Sequence, residues 1–399
     1  MMKIFIINSV PYGSTGKIAF EIGKNAELKG HNVQSYMGYS YHPLKEINES
    51  RNVIIGSAFQ KLIHTYLAYF TGLNGCFSVF STLLLLSKIK KFNPEIIHLH
   101  NLHGWYVNLP LLFKFIKKYN IKTIWTLHDC WSFTGHCPHF DMIGCEGWKT
   151  GCSNCSQYKD YPKSLFDNSK IMYKLKKKWF IGVKNLTIVT PSNWLAGLVK
   201  QSFLKNYPVK VINNGIDLSV FKPTESDFRQ KYGLEDKFIL LGVAFGWGKR
   251  KGLDVFIELS KRLDDRFQIV LVGTDDNVDK PLPDNIISIH RTQNQTELAE
   301  IYTAADLFVN PTREENYPTV NMEAIACGTP VITFNTGGSP EILSDDTGIV
   351  VPKDDIDAMF NEINNIAENN IFSKKNCINK AKSFNMNNRF NEYIKFYEE

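Results

Sequence analysis

The sequence predicts an α/β fold in which two parallel sheets, each covered by helices on both faces, make two domains. Three observations predict it. Short runs such as "KIFIIN" and "FQIVLVG" are apolar at successive positions rather than alternate ones, the pattern of strands buried on both sides. Those runs alternate with helical stretches along the chain. At 399 residues the chain also exceeds what one hydrophobic core usually encloses.

Taken in order, "KIFIIN" is a strand, "GKIAFEIGKNAELKG" an amphipathic helix and "HNVQSYMGY" a second strand. Residues 62–86, "LIHTYLAYFTGLNGCFSVFSTLLLL", are apolar but interrupted by His64, Gly72, Asn74 and Gly75. A membrane span needs roughly 20 mostly apolar residues, so the segment reads as two helices joined by a "GLNG" turn, buried or lying on a membrane surface. "EIIHLHN" and "KTIWTLHD" are strands that end in polar residues, with the helical "PLLFKFIKKYN" between them. After about residue 190 the rhythm restarts with "FILLGVA", a helix from about Leu253, "FQIVLVG" and "IISIH". The helix "TELAEIYTAAD", the strand "LFVNP", the helix "NMEAIACG" and the strand "PVITFN" follow. Two such rounds predict Rossmann-like domains facing each other across a cleft, at residues 1–188 and 189–381. Ligands of such sheets sit beyond the carboxyl ends of the strands.

Composition narrows the partners. A net charge of +6 spread along the chain does not argue for nucleic acid. "MMKIFIINSV" runs straight into a glycine turn with no cleavage-like segment, so a cytoplasmic location with reduced cysteines is expected. Residues 163–184 hold seven lysines and one aspartate, interleaved with Phe166, Tyr173, Trp179 and Phe180. That mixture suits either a solvated helix face or peripheral contact with the anionic inner leaflet of a membrane.

Several motifs carry chemistry. "PYGSTGK" at residues 11–17 has Pro11 where a phosphate-binding P-loop needs its first glycine, and Ile18 where that loop needs a hydroxyl. What remains is a turn opening a helix, where Gly13 and Gly16 let backbone approach a ligand closely. The dinucleotide fingerprint of an oxidoreductase is missing from the same place. In "TREENYPTVNMEAIACGTPVI", Glu315 and Glu323 stand eight residues apart across a loop-to-helix transition. A carboxylate at Glu323 suits the two hydroxyls of a ribose. Amides around Asn316, Tyr317, Thr319 and Val320 open the helix, the natural place for a diphosphate. Cys137, Cys145, Cys152 and Cys155 include one tight Cys-x2-Cys pair, and a structural zinc, disulfides and packing thiols all remain open for them.

The Glu-x7-Glu pair, followed by "GGSPEIL" and "GIVV", resembles the nucleotide-sugar end of retaining family-4 glycosyltransferases. "GSTGKIAFEIGKNAELKGHNV", "PSNWLA", "VINNGIDLSVFKP" and "RKGLDVFIELSKRL" extend the likeness over almost the whole chain. "IIHLHNLHGWYVN" and "TLHDCWSFTGHC" resemble the bacterial subgroup that builds O-antigen, capsule or exopolysaccharide. The resemblance implies the GT-B arrangement, with a C-terminal helix at residues 382–399 crossing back to the first domain. It implies a nucleotide-diphospho-sugar donor and a saccharide or lipid-linked oligosaccharide acceptor. Lys251 in "GWGKRKG" would contact the pyrophosphate, while Phe245 stands where the family usually has arginine, and Arg250 or Lys249 is the candidate replacement. With lysine, arginine and a helix end meeting the developing charge, no cofactor is expected to be required for catalysis.

By the same resemblance His128 lies beside the donor sugar, and Asp129 orients the histidine or takes the acceptor's proton. His100 and His103 would line the acceptor side. Glu315 would orient sugar hydroxyls in a front-face, retaining transfer. The competing expectation is a sugar-nucleotide-binding protein with reduced catalysis, or a zinc-stabilised scaffold; the presence of Glu315, Glu323 and Lys251 together favours the enzyme.

Overall fold

The structure, a computed structural model, describes residues 1–39, 52–280 and 282–399. It divides into two compact units, Met1–Asn213 with Phe390–Glu399, and Asn214–Arg389. In the first, β1 (Lys3–Asn8), α1 (Gly13–Leu28), β2 (Asn32–Gly38) and β3 (Asn52–Ile55) build one side of a sheet. The helices α2 (Ala58–Thr71) and α3 (Val79–Phe92) then lead to β4 (Ile96–Leu99), α4 (Leu109–Tyr119) and β5 (Lys122–Thr126). The short α5 (Gly147–Thr150) and α6 (Ser169–Phe180) precede β6 (Leu186–Thr190), α7 (Asn193–Gln201) and β7 (Val209–Val211).

The second unit opens with α8 (Phe228–Tyr232), β8 (Phe238–Val243), α9 (Leu253–Arg262) and β9 (Phe267–Val272). It continues through α10 (Asp276–Asp279), β10 (Ile286–Ile289), α11 (Gln295–Ala304) and β11 (Leu307–Asn310). Then come α12 (Thr319–Ala326), β12 (Val331–Phe334), β13 (Gly348–Val351) and α13 (Ile356–Asn369). The chain ends in α14 (Lys374–Ala381) and α15 (Met386–Glu398).

Among the described residues the first sheet runs β3-β2-β1-β4-β5-β6-β7 and the second β10-β9-β8-β11-β12-β13. Every pairing is parallel. Both orders reverse after the first strand: β4 joins β1 opposite β2, and β11 joins β8 opposite β9. At such a switch point successive loops part in opposite directions and leave a crevice beyond the strand ends. The two expected Rossmann-like domains are therefore present, each with its own crevice.

Local chemistry explains the helix ends. Asn108 caps α4 by accepting from Leu111 N at 3.1 Å, with Pro110 in the first turn where a missing N–H does no harm. Asp355 caps α13 by accepting from Ala358 N at 2.8 Å. The polar interruptions in residues 62–86 do fold the segment into two helices, and among the described residues no helix is long and apolar enough to cross a membrane.

Two boundaries differ from expectation. A division at 188 would cut β6, whose Thr187 pairs with Ile124 and whose Ile188 pairs with Val209, so "LTIVT" extends the first sheet. The returning segment starts at Phe390 rather than 382. Residues before it stay with the second unit, where Ile216 N donates to Phe384 O at 2.8 Å and Met386 N to Ile216 O at 3.0 Å. Beyond Phe390, α15 belongs to the first unit, where Lys122 Nζ donates to Tyr397 O at 3.0 Å.

Candidate functional site

In the first unit the site grows from the ends of β4 and β5. These strands are neighbours in register, with His98 beside Ile124 and Leu99 beside Trp125, so the residues after them emerge side by side. His98 sits deepest, its Nδ1 2.6 Å from Tyr397 Oη and its Nε2 2.8 Å from Thr126 Oγ1. His100 Nδ1 lies 3.0 Å from His128 Nε2, and the two rings stack at 5.3 Å. Asp129 accepts from His103 Nε2 at 2.8 Å and from Trp131 N at 2.9 Å, while His103 Nδ1 meets Tyr161 Oη at 2.8 Å. All four predicted residues, His100, His103, His128 and Asp129, line one small pocket with Trp125 and Trp131 as its apolar wall.

Burial decides the charges. It disfavours the imidazolium at His128, and His103 adds to that; against the opposing pull of Asp129 the ring's pKa still falls to about 4. His98 drops to about 3 and His100 lies well below the ordinary histidine value, chiefly through burial and then through their histidine neighbours. At Asp129 burial works against ionisation. The charge and hydrogen bond of His103, with His139 and the Trp131 amide, outweigh it and hold the carboxyl at about 2. At neutral pH the pocket therefore presents neutral His98, His100 and His128 around one fixed carboxylate.

The glycine turn after β1 is read differently by the structure. A Cβ on Gly16 would stand 2.5 Å from the carbonyl carbon of Pro11, so the missing side chain is filled by the protein's own backbone. Gly13 opens α1 at φ +69°, and a Cβ there would have nothing within 4 Å of it, so Gly13 alone of the pair leaves space beside the backbone. Asn8 braces the turn, donating to Val10 O at 2.9 Å and accepting from Asn101 N at 3.2 Å.

In the second unit the switch-point crevice lies beyond β8 and β11. Lys251 follows β8 and Glu315 follows β11, and the two meet with Nζ 2.6 Å from Oε2. The side chains are only 18% and 22% exposed, which makes this a partly shielded pair. Gly337, in the turn after β12, has φ +57° and its missing Cβ would fall on Glu315 O. Gly338 N donates to Asn316 O at 2.9 Å, so the β12 turn and the Glu315 loop are clasped together. Asn316 N in turn donates to Glu315 Oε1 at 3.1 Å.

Helix α12 begins at Thr319, its Pro318 entry leaving the first amides without a side-chain cap. Asn316 and Tyr317 are buried beside that end, whereas Thr319 and Val320 are partly exposed in its first turn. Burial pushes the Tyr317 phenol up to about 12. Glu323, one turn on, accepts from Tyr302 Oη of α11 at 3.2 Å. The two glutamates thus have separate tasks in one unit: Glu315 on lysine, Glu323 on tyrosine. Arg250 is exposed and serves the site through its carbonyl, which accepts from Arg313 N at 2.9 Å. Phe245 is 98% exposed.

Comparison with known proteins now bears on the chain. The model described as Glycosyltransferase Family 4 matches residues 19–220, and that described as Glycosyl transferases group 1 matches residues 236–369. The chain belongs to glycosyltransferase family 4. A relative in Escherichia coli K12, provisionally named the colanic acid biosynthesis glycosyl transferase WcaC, is 26% identical over 66% of this chain and 65% of its own length. The alignment thus spans just under two thirds of that relative. Sucrose-phosphate synthase of Thermosynechococcus elongatus has the same fold, with a TM-score of 0.73 over 100% of this chain and 98% of that one at 17% identity. Anabaena HepE, solved in complex with UDP-glucose, gives 0.66 over 99% and 100% at 15% identity. Both are likenesses of the two-domain GT-B fold.

Within this family-4 chain, two supporting residues escape a reading of the sequence. Arg313 grips Asp254 of α9 through both its terminal nitrogens, at 2.7 and 2.9 Å, and also reaches Asp354 and the Lys249 carbonyl. It ties the Lys251 turn to the Glu315 loop. Lys176 is completely buried; its Nζ donates to Trp131 O at 2.7 Å and Thr134 O at 3.1 Å, over the Trp131 ring. Burial lowers its pKa to about 7, against the pull of Cys152, Cys137 and Asp129. The signal was available: Lys176 falls in step with Met172, Tyr173 and Phe180 on the inner face of α6. The same face takes Tyr173 and Phe180 inward, so of the aromatics in the lysine-rich segment only Phe166 is well exposed.

The cysteine loop packs beneath the histidine pocket. Cys137 and Cys155 share a thiol hydrogen bond that, with burial, pushes the Cys137 thiol up; at Cys155 the same bond outweighs burial and holds the thiol below its ordinary value. Cys152 accepts from Gly135 N at 3.1 Å and neighbours Cys145, and burial raises its thiol to about 11. All are free thiols. Among the described residues no group of three His, Cys, Asp or Glu side chains is arranged to hold a metal ion, although Cys152 neighbours both Cys145 and Cys155. Trp148 stacks on Phe140 at 5.0 Å and both join the core of the unit.

Proposed function

We propose that this chain is a retaining hexosyltransferase that moves a sugar from a nucleotide-diphospho-sugar to a lipid-linked oligosaccharide in bacterial surface polysaccharide synthesis. The observation that carries the reading is the Lys251–Glu315 pair at the switch point of the second sheet, next to the uncapped entrance of α12. On this reading Lys251 leaves Glu315 for the departing diphosphate, whose other charge meets the amides at Asn316 to Val320. Glu315, released, orients hydroxyls of the sugar. Glu323, already held by a tyrosine hydroxyl, takes the ribose. Lysine and amide dipoles together supply the positive charge, so catalysis requires no cofactor. That HepE binds UDP-glucose and that WcaC is named for colanic acid support the donor class and the setting.

The first unit supplies the acceptor side. Neutral His128 and His100 offer hydrogen bonds without adding charge beside a sugar that develops positive character. Asp129 holds His103 in place, and the leaving phosphate helps to take the acceptor's proton in a front-face, retaining step. A lipid-linked acceptor requires work at a membrane surface, on its cytoplasmic face, where the lysine-rich residues 163–184 are drawn to anionic lipid. The test is release of nucleoside diphosphate from a panel of UDP- and GDP-sugars, with and without lipid-linked saccharides. Acceptor-dependent release with the anomeric configuration kept supports the reading. No release from any sugar nucleotide, or inversion in the product, contradicts it.

A further inference from the structure

Helices α2 and α3 bury a mixed inner face, His64, Ser81 and Thr82 together with the apolar Ala68, Leu85 and Ile89. His64 Nδ1 lies 2.7 Å from Ser78 Oγ and Ser81 Oγ donates to Gln60 Oε1 at 2.6 Å, so hydrogen bonds tie α2 to the start of α3. The residues they turn outward are large and apolar. On α2 these are Phe59 (69% exposed), Leu62, Ile63, Tyr66, Leu67 and Phe70, one stripe at helical spacing. On α3 they are Val79, Phe80 (67% exposed), Leu83 and Leu84, after which the same face turns to Lys88 and Lys91. A soluble surface rarely leaves so much contiguous apolar helix in water.

A separate part of the chain joins this surface. Leu165 N donates to Tyr69 O at 2.8 Å and Asn168 Nδ2 to Thr71 O at 2.6 Å, which fixes the exposed Leu165 and Phe166 against the end of α2. Exposed Lys163, Lys170 and Lys174 flank them. Residues 58–92 contain no aspartate or glutamate. The one acid in residues 163–184, Asp167, is spent on the amides of Cys155 and Ser169 at 2.8 and 2.9 Å. Apolar faces edged by lysine without counter-charge fit one occupant, the surface of an anionic bilayer; a second copy of the chain would set lysines against lysines.

We infer that the α2–α3 hairpin, with Leu165 and Phe166, enters the acyl region of an anionic membrane while the lysines of α3 and α6 lie at its headgroups. This deepens the membrane contact proposed above and rests on it, but moves its energy from lysine attraction to apolar insertion. Insertion makes binding survive salt, which screens the lysines and not the apolar term.

The experiment is co-sedimentation of the full chain with phosphatidylcholine vesicles, with and without phosphatidylglycerol, at low and high salt. The wild type is expected to prefer the anionic vesicles and to keep part of its binding at high salt, a readout that needs no variant. Phe80→Ser with Leu84→Ser, and separately Phe59→Ser with Phe70→Ser, should each weaken binding by about tenfold or more and remove the salt-resistant part. Circular dichroism checks their folding, which these exposed positions should not disturb. Lys170→Gln with Lys174→Gln should weaken binding at low salt only. Loss of binding in the lysine variant with unchanged binding in both serine variants overturns the insertion and leaves the electrostatic contact standing. No vesicle binding by the wild type overturns both. Dimers in sedimentation velocity that the serine variants dissolve overturn it in favour of self-association.

Discussion

Lys251 and Glu315 hold each other at 2.6 Å, and that pairing makes a sharp expectation for the lysine. Lys251→Met should weaken nucleoside diphosphate binding by roughly ten- to a hundredfold, the range for losing a charge-assisted hydrogen bond. Glu323→Ala should also weaken the nucleotide, with its Tyr302 partner left unsatisfied. His128→Ala belongs to the other unit and should behave differently, slowing turnover on the order of 100-fold while the nucleotide affinity measured by calorimetry stays put. The His128 ring has a pKa of about 4, so it remains neutral well below the usual imidazole range. Turnover should accordingly show no titration step near the ordinary histidine value that depends on His128. A step there that vanishes in His128→Ala would show the ring to be solvated and the pocket misread.

At the level of elements, the second crevice depends on a turn that only glycine can make. A side chain at Gly337 would meet both a left-handed φ of +57° and the carbonyl of Glu315. Gly337→Ala should destabilise the second unit by about 2–4 kcal/mol and loosen the Glu315 loop, lowering the melting temperature and the nucleotide affinity together. Unchanged melting would mean the two loops are not clasped. The strands that carry the site were legible because buried parallel strands write continuous apolar runs, as "IIHL" before His100 and "TIWT" before His128 do. The unit boundary was not, because "LTIVT" looks the same whether it ends one sheet or begins the next, and only pairing with β5 and β7 decides. The packing of Gly16 on Pro11 was not legible, because a glycine needed for close packing and one needed for a ligand share the same letter. Lys176 hid among six other lysines; only its phase on α6 distinguishes a buried strap from a solvated face.

Across the whole molecule, charge is distributed unevenly between the two units. His64, His98, His100, His128 and His136 all lie in the first, and burial lowers each below its ordinary value, the four with a definite figure to about 3 or 4. A histidine whose folded pKa is depressed takes up its proton only on unfolding, so stability is lost as pH falls from the unfolded value near 6.5 toward 4. Each such group contributes up to about 1.4 kcal/mol per pH unit in that window. The second unit's His290 is shifted the opposite way by Asp279. Acidification should therefore open the first unit before the second. Hydrogen exchange at neutral pH and at about pH 5 reads this directly; equal protection loss in both units would contradict it.

The claim beneath all of this is that the second unit grips a nucleoside diphosphate through Lys251 and the entrance of α12, and calorimetric titration with UDP and GDP in the presence of a chelator tests it most directly. The account predicts saturable binding of at least one of them by the wild type, clearly weakened in Lys251→Met and unaffected by the chelator. Binding that the Lys251 variant keeps in full, or no binding of either nucleotide, would contradict it.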